Sequence, residues 1–274
     1  NVWVKALGAW GKTNSGSANA NYTTSLGGML VGADGLISDA TRLGVFTGYS
    51  HSGLNMGDGT HSTASTDSYH LGAYLGHEID ALRLSVGGSY SWNRIDVKRE
   101  VQFADIDAKH KTKRDAQTAQ VFTEAAYRVE LQTLALEPFA NLTYVHVGSD
   151  SFHEKGGAAA LQGRRDNREA VLSTLGLRAA KTLTLGRDQQ LDVAGSLGWQ
   201  HNLNAVHSDQ DLSFVAGSTA FSVQSVSLAR DAAVVGARVG MALGKATRLE
   251  LDYNGQLSNK EKAHGMGLNL SWQF

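Results

Sequence analysis

The sequence contains no cysteine, only one proline (Pro138) and no long apolar segment. The absence of cysteine excludes a disulfide scaffold, a thiolate metal site and a cysteine nucleophile. One proline in 274 residues excludes collagen and proline-rich disorder. Because no apolar run approaches about 18 residues, no transmembrane helix is predicted. No secretory leader is recognisable, so we expect a mature or excised chain.

An excess of charge of one sign is also lacking, since 25 basic residues nearly cancel 26 acidic ones and leave a net charge of −1. This balance gives no chain-wide basic surface, so no nucleic-acid partner is predicted. The ten histidines show no HExxH or His-carboxylate spacing typical of metal sites. No GxSxG nucleophile elbow occurs. We therefore expect no metal, no cofactor and no enzymatic activity.

The sequence does contain apolar residues that alternate with polar ones, over ten or more positions at a time. The clearest segments are residues 82–92, 191–203 and 249–257. Successive side chains of a strand point to opposite faces, so each segment predicts a strand with one apolar and one polar face. Twelve such strands are predicted, at residues 2–14, 22–34, 40–52, 67–79, 82–97, 116–130, 133–149, 168–183, 188–203, 229–243, 246–258 and 262–274.

The connections between these strands are alternately long and short. Residues 98–115 and 204–228 are long and polar, whereas residues 80–81 and 184–187 are short. Long extracellular loops and short periplasmic turns are typical of outer-membrane barrels. The predicted fold is therefore all-β, a twelve-stranded antiparallel transmembrane outer-membrane β-barrel. The even strand number places both termini in the periplasm.

The alternation also predicts which side chains face the lumen. Ten charged residues on the polar faces are candidates for the lumen wall: Glu78, Arg83, Glu124, Arg128, Glu137, Arg178, Asp192, Arg238, Glu250 and Asp252. Small residues on the same faces, for example Gly72, Gly87, Gly176 and Gly240, are predicted to leave room inside. A soluble barrel with an apolar interior stays an alternative, because a period of 2 does not distinguish inside from outside.

Aromatic residues near the ends of the apolar faces predict girdles at the two membrane interfaces. They are Trp3, Trp10, Tyr69, Tyr90, Trp92, Tyr144, Trp199, Tyr253 and Trp272.

The chain resembles the C-terminal translocator domain of bacterial monomeric autotransporters, the type V secretion proteins. The resemblance extends over nearly the whole chain, including VWVKALGAWGKTN (2–14), LRLSVGGSYSW (82–92), LALEPFANLTYVHV (134–147) and GLNLSWQF (267–274). It implies one domain over residues 1–274, a monomer that anchors a secreted N-terminal passenger through a linker helix in the pore. Passenger and linker helix are absent from this sequence.

The resemblance also implies roles for particular residues. The alternating last strand, with Leu268, Leu270, Trp272 and Phe274, is similar to the signal that the barrel-assembly machinery reads. Some family members cut their own linker with acidic lumen residues, for which Glu78, Glu124, Glu137 and Asp252 are candidates. The basic segment KHKTKR (109–114) is predicted to be an exposed loop that could contact lipopolysaccharide. A general diffusion channel is the alternative function, and an outer-membrane hydrolase is the less favoured third.

Overall fold

The structure, a computed structural model, describes residues 1–13, 21–57, 62–103, 106–157, 159–185, 189–204, 209–217, 219–224 and 229–274. In these ranges no helix is long and apolar enough to cross a membrane. The strands are β1 (Val2–Thr13), β2 (Tyr22–Ser38), β3 (Thr41–Met56), β4 (Thr63–Ile79), β5 (Leu82–Phe103), β6 (Ile106–Tyr127), β7 (Val129–Glu130), β8 (Ala135–Ser149), β9 (Phe152–His153), β10 (Leu161–Gly163), β11 (Asp166–Leu185), β12 (Gln189–Asn202), β13 (Asp209–Phe214), β14 (Phe221–Gln224), β15 (Asp231–Ala242), β16 (Thr247–Leu257) and β17 (Glu261–Trp272).

Twelve of these strands form a closed antiparallel barrel, as predicted. Neighbours in the sequence pair in the order β1 to β6, β8, β11, β12 and β15 to β17, and β7 is a short continuation of β6 beyond Arg128. The barrel closes where β17 pairs with β1, from Val2 opposite Trp272 to Thr13 opposite Glu261. Because every strand has two neighbours, no edge is left with unpaired backbone groups, which a bilayer requires.

The outer surface of the barrel is apolar. Large side chains such as Leu84, Leu177, Leu197 and Leu251 are 38%, 46%, 63% and 52% exposed, whereas the buried apolar residues of the described ranges are all alanines. A water-soluble barrel would bury the leucines inside and expose charged residues. The distribution therefore favours a membrane barrel over the soluble alternative.

Short turns connect adjacent strands at the end of the barrel where β1 begins and β17 ends. Asp39–Ala40 and Asp80–Ala81 connect adjacent strands, and Asp80 adopts a φ of 52° that a tight turn requires. The chain termini lie at this same end, because the Asn1 ammonium donates to the Asp34 carbonyl oxygen at 2.7 Å and the Gln273 amide donates to that of Ala246 at 2.8 Å. Residues 186 and 187 of the predicted turn at 184–187 lie outside the described residues.

The opposite end is more ordered than the sequence predicts. The predicted loop 98–115 is instead a projecting hairpin, since β5 and β6 remain paired up to Phe103 opposite Ile106. The predicted loops 150–167 and 204–228 contribute a separate four-stranded sheet in the order β14-β13-β10-β9, which we call the cap sheet. Of the second loop, residues 205–208, 218 and 225–228 lie outside the described residues. The prediction failed here because the cap strands are only two to six residues long, too short for alternation to identify them.

Candidate functional site

A network of ion pairs lies on the inner wall of the barrel and is centred on Arg178 of β11. Its guanidinium donates to both carboxylate oxygens of Glu124 and to Glu137 Oε1, each at 2.8 Å. The Arg178 group also stacks on the Phe139 ring, 3.9 Å from its centroid. Arg83 donates to the second oxygen of Glu137 at 2.9 Å. It reaches across the intervening β6, where the small and nearly fully buried Ala126 leaves space.

The remaining lumen candidates form ion pairs on other parts of the inner wall. Asp252 pairs with Lys5 at 2.7 Å and Asp192 pairs with Arg248 at 2.8 Å. Looser contacts join Arg238 to Glu250 at 3.3 Å and Arg83 to Glu78 at 3.6 Å. Arg128 lies just beyond the end of β6, where it contacts Glu130. The sequence analysis did not predict three further charged residues of the inner wall, Lys5, Arg248 and Asp34.

One half of the interior is filled by aromatic side chains. The Trp3 indole N–H donates to the Tyr74 hydroxyl at 3.1 Å, and its ring is 6.4 Å from that of Phe46. Tyr74 in turn donates to Asp34 at 2.9 Å. The prediction that Trp3 belongs to an outer girdle is therefore wrong. In β1 both faces carry apolar residues, so alternation alone did not distinguish them.

Several interior glycines provide space for large side chains. A Cβ at Gly72 would overlap the Phe46 ring, at Gly87 the Phe122 ring and at Gly176 the Phe139 ring. A side chain at Gly240 would likewise overlap the Arg248 guanidinium. These glycines allow close approach between neighbouring strands, as strand glycines often do. At these four positions the room that the sequence predicts is taken by neighbouring side chains.

The other part of the interior contains open space of mixed polarity. A cavity of about 480 Å³ is lined by the polar residues Glu124, Arg178, Arg238 and Asn254 and by apolar side chains such as that of Phe139. A second cavity, of about 420 Å³, lies toward the short turns. It is lined by charged residues that include Arg128, Lys181, Asp192, Arg238, Arg248 and Glu250. Arg238 lines both cavities, so they adjoin the same side chain of the inner wall.

The cap sheet contacts the projecting hairpin on the face that continues the lumen wall. Glu154 accepts two hydrogen bonds from Arg99, at 3.0 and 2.6 Å, and one from the Leu161 amide at 2.9 Å. Burial by itself would raise the pKa of Glu154, but Arg99 and the Leu161 amide hold the pKa below its ordinary value. This contact therefore stabilises the cap sheet above the barrel opening at neutral pH.

The segment KHKTKR is a strand within this hairpin, and the prediction of a loop is wrong. Its alternate residues point to opposite sides, so that His110 is only 1% exposed and Arg114 stacks on Phe152 of the cap sheet. Lys109, Lys111 and Lys113 lie on the outer, exposed side. Two of the five basic residues of this segment are thus covered by the cap.

A repeated pattern on the outer surface was missed by sequence reasoning. In five strands an aromatic residue is followed two positions later by a basic one, which lies directly opposite a residue of the next strand. In each case the aromatic residue is given first, then the basic residue, then the residue opposite the basic one. They are Trp10, Lys12 and Lys262; Tyr49, His51 and Asp67; Trp92, Arg94 and Asp115; Tyr144, His146 and Glu169; and Trp199, His201 and Asp231. The recurrent aromatic-x-basic spacing is the signal that could have revealed it.

The predicted C-terminal residues lie at the barrel closure. Leu268, Leu270 and Trp272 of β17 pair with Ala6, Val4 and Val2 of β1. Phe274 lies beyond the end of β17 and is 98% exposed. Contrary to our expectation, the terminal aromatic residue is not part of the paired strand.

A closed barrel with an apolar exterior and a charged interior is the fold of an outer-membrane protein. The autotransporter beta-domain family model matches residues 2–254. Two curated proteins of Serratia marcescens, each described as an extracellular serine protease, are 38% identical over 273 residues. The match covers all of this chain and 26% of the relatives' length, so the chain spans about a quarter of them.

Solved structures show the same fold. The translocator domain of NalP from Neisseria meningitidis is 17% identical with a TM-score of 0.77, and the match covers 100% of this chain and 88% of that one. The transport unit of AIDA-I from Escherichia coli is 14% identical with a TM-score of 0.67, covering 100% and 90%.

The chain therefore belongs to the autotransporter family. It is an integral outer-membrane barrel of the kind that translocates a passenger across the outer membrane.

Proposed function

We propose that the open half of the barrel interior holds the linker that joins the barrel to its N-terminal passenger during and after translocation. The observation that supports this proposal most directly is the asymmetry of the interior. Trp3, Phe46 and Tyr74 fill one half, whereas Arg178 and Arg238 line an open space along the other. A linker helix, about 10–12 Å in diameter with its side chains, would lie against the open half.

The charges of the open half are suited to a chain in transit. Glu124, Glu137 and Asp252 each contact a cation of the wall, so their charges are compensated within the protein. A compensated polar wall offers no large apolar surface to which an unfolded passenger would adhere. The use of these carboxylates in cutting the linker stays a prediction, as does the absence of a catalytic role for this domain.

The orientation and the partners are part of the same proposal. The end with the short turns and both termini faces the periplasm, and the cap sheet faces the cell exterior. Leu268, Leu270, Trp272 and Phe274 are read by the barrel-assembly machinery, lipopolysaccharide surrounds the outer rim, and the barrel is a monomer.

Thiol labelling tests the orientation. A cysteine at Ser151, next to the cap sheet, should react with an impermeant reagent on intact cells, and one at Thr133, in a short turn, should not. The reverse result would overturn the orientation.

Conductance in planar bilayers tests the site. We expect the barrel alone to conduct and an added N-terminal helical segment to block it. Arg238→Glu in the open half should change ion selectivity, whereas Arg42→Glu, beside Asp34 near the aromatic half, should change it less. A barrel that conducts equally with and without the segment would favour the diffusion channel.

A further inference from the structure

Among the five aromatic-x-basic pairs of the outer surface, the pair at the barrel closure differs from the others. His51, Arg94, His146 and His201 each lie opposite a carboxylate, with atom separations of 2.8, 3.9, 3.4 and 2.7 Å. At the closure, Lys12 of β1 lies directly opposite Lys262 of β17. Both lysines are exposed, and neither forms an ion pair with a described residue.

No acidic side chain among the described residues forms an ion pair with these two lysines. The outward neighbours in the same row are Thr23 of β2 and Leu257 of β16. Glu261, next to Lys262 in the chain, lies opposite Thr13 and thus on the other face of the sheet. The residues that follow β1, NSGSANA at 14–20, contain no acid. Like charges directly opposite on a sheet destabilise it, so this arrangement calls for an external anion.

The position of the pair indicates which anion it meets. Trp10 and His264 stack on the outer surface with ring centroids 5.8 Å apart, one row closer to the barrel middle. Aromatic residues of this kind mark the membrane interface. Two residues of strand place Lys12 about 7 Å beyond Trp10, where lipid headgroups lie. We propose that Lys12 and Lys262 form a binding site for the phosphate group of a phosphorylated glycolipid in the outer leaflet, located at the closure between the first and last strands.

Lipid binding by the refolded chain tests this site. The chain is placed in phosphatidylcholine nanodiscs with increasing amounts of bisphosphorylated lipid A, and bound lipid A is counted by native mass spectrometry. Two lysines near an anionic headgroup predict binding about 30-fold weaker in the variant Lys12→Gln/Lys262→Gln. Because the substitutions remove a repulsion, the variant should fold fully, as judged by its heat-modifiable mobility on gels.

The matched control is Lys98→Gln/Lys111→Gln on the projecting hairpin. These lysines also lie opposite each other on the outer side without an ion partner among the described residues, but Lys98 is six residues beyond Trp92. The control variant should bind lipid A nearly as well as the unchanged chain. Equal losses in the two variants would indicate non-specific attraction and would overturn the site, as would unchanged binding by the Lys12/Lys262 variant.

Two further measurements identify the ligand. Lipid A should raise the thermal unfolding midpoint of the unchanged chain, whereas dephosphorylated lipid A should not, because a ligand stabilises the state that it binds. Displacement of lipid A by inorganic phosphate at equal phosphate concentration would indicate a site for a soluble anion and would overturn the assignment to a lipid. The test needs only the folded barrel and is independent of the passenger.

Discussion

Replacing Arg178 by alanine should weaken the barrel more than replacing any other cation of the inner wall that we have described. The substitution removes three hydrogen bonds to charged groups and the contact with Phe139. It also leaves Glu124 without a cation, although Glu137 retains Arg83. The carboxylates are 19% and 11% exposed and Arg178 is 32% exposed, so solvent screens the pair only in part.

We expect a loss of about 2–3 kcal/mol in the free energy of unfolding, between the values for exposed and fully buried ion pairs. The measurement is urea unfolding of the refolded barrel in detergent micelles, followed by tryptophan fluorescence. Arg238→Ala is the control, because its single contact of 3.3 Å and its 61% exposed side chain predict a loss below about 1 kcal/mol.

A second substitution separates the ion pair from packing. In the Arg178→Ala background, Glu124→Gln should restore part of the lost stability, because the uncompensated charge is removed. The coupling between the two positions should be at least about 1 kcal/mol. Equal losses for Arg178→Ala and Arg238→Ala, or no coupling to Glu124, would refute the view that this network stabilises the inner wall.

Three other predictions concern the outer surface, the terminus and the cap. Leu84→Arg should lower the free energy of unfolding by about 2–4 kcal/mol in the same urea titration, whereas Ser85→Arg, on the inner face, should lower it much less. Equal losses would argue against a lipid-facing Leu84. Deleting Phe274 should lower insertion in cells but not refolding in detergent, because Phe274 is 98% exposed beyond β17, and equal loss in both assays would exclude a recognition role. Arg99→Ala should increase proteolysis of residues 150–165, since the partner Glu154 is only 6% exposed. Because the pKa of Glu154 lies below its ordinary 4.5, the protection in the unchanged chain should be complete above pH 4.5 and should decrease as the pH falls below that value. Protection that does not change with pH would contradict this role of the Arg99–Glu154 pair.

The sequence by itself determined the barrel. Alternation in segments such as residues 82–92 and 191–203 identified the membrane-crossing strands, because a strand between lipid and water must carry different residues on its two faces. The short connection at residues 80–81 then gave the up-and-down order. Both signals are local in the chain, so they can be read without the tertiary structure.

The tertiary structure alone decided which side chains meet and which surfaces remain open. Arg178 contacts Glu124 and Glu137, which lie 54 and 41 positions away in the sequence. Trp3 faces inward, where its indole N–H donates to Tyr74 and its ring occupies the space beside Gly32. The cap sheet combines strands of two to six residues from two separate loops, and strands this short show too little alternation to be predicted from the sequence. Lys12 and Lys262 are 250 positions apart and become neighbours only when the barrel closes. These contacts depend on strand register and on closure, which alternation along a single strand does not encode.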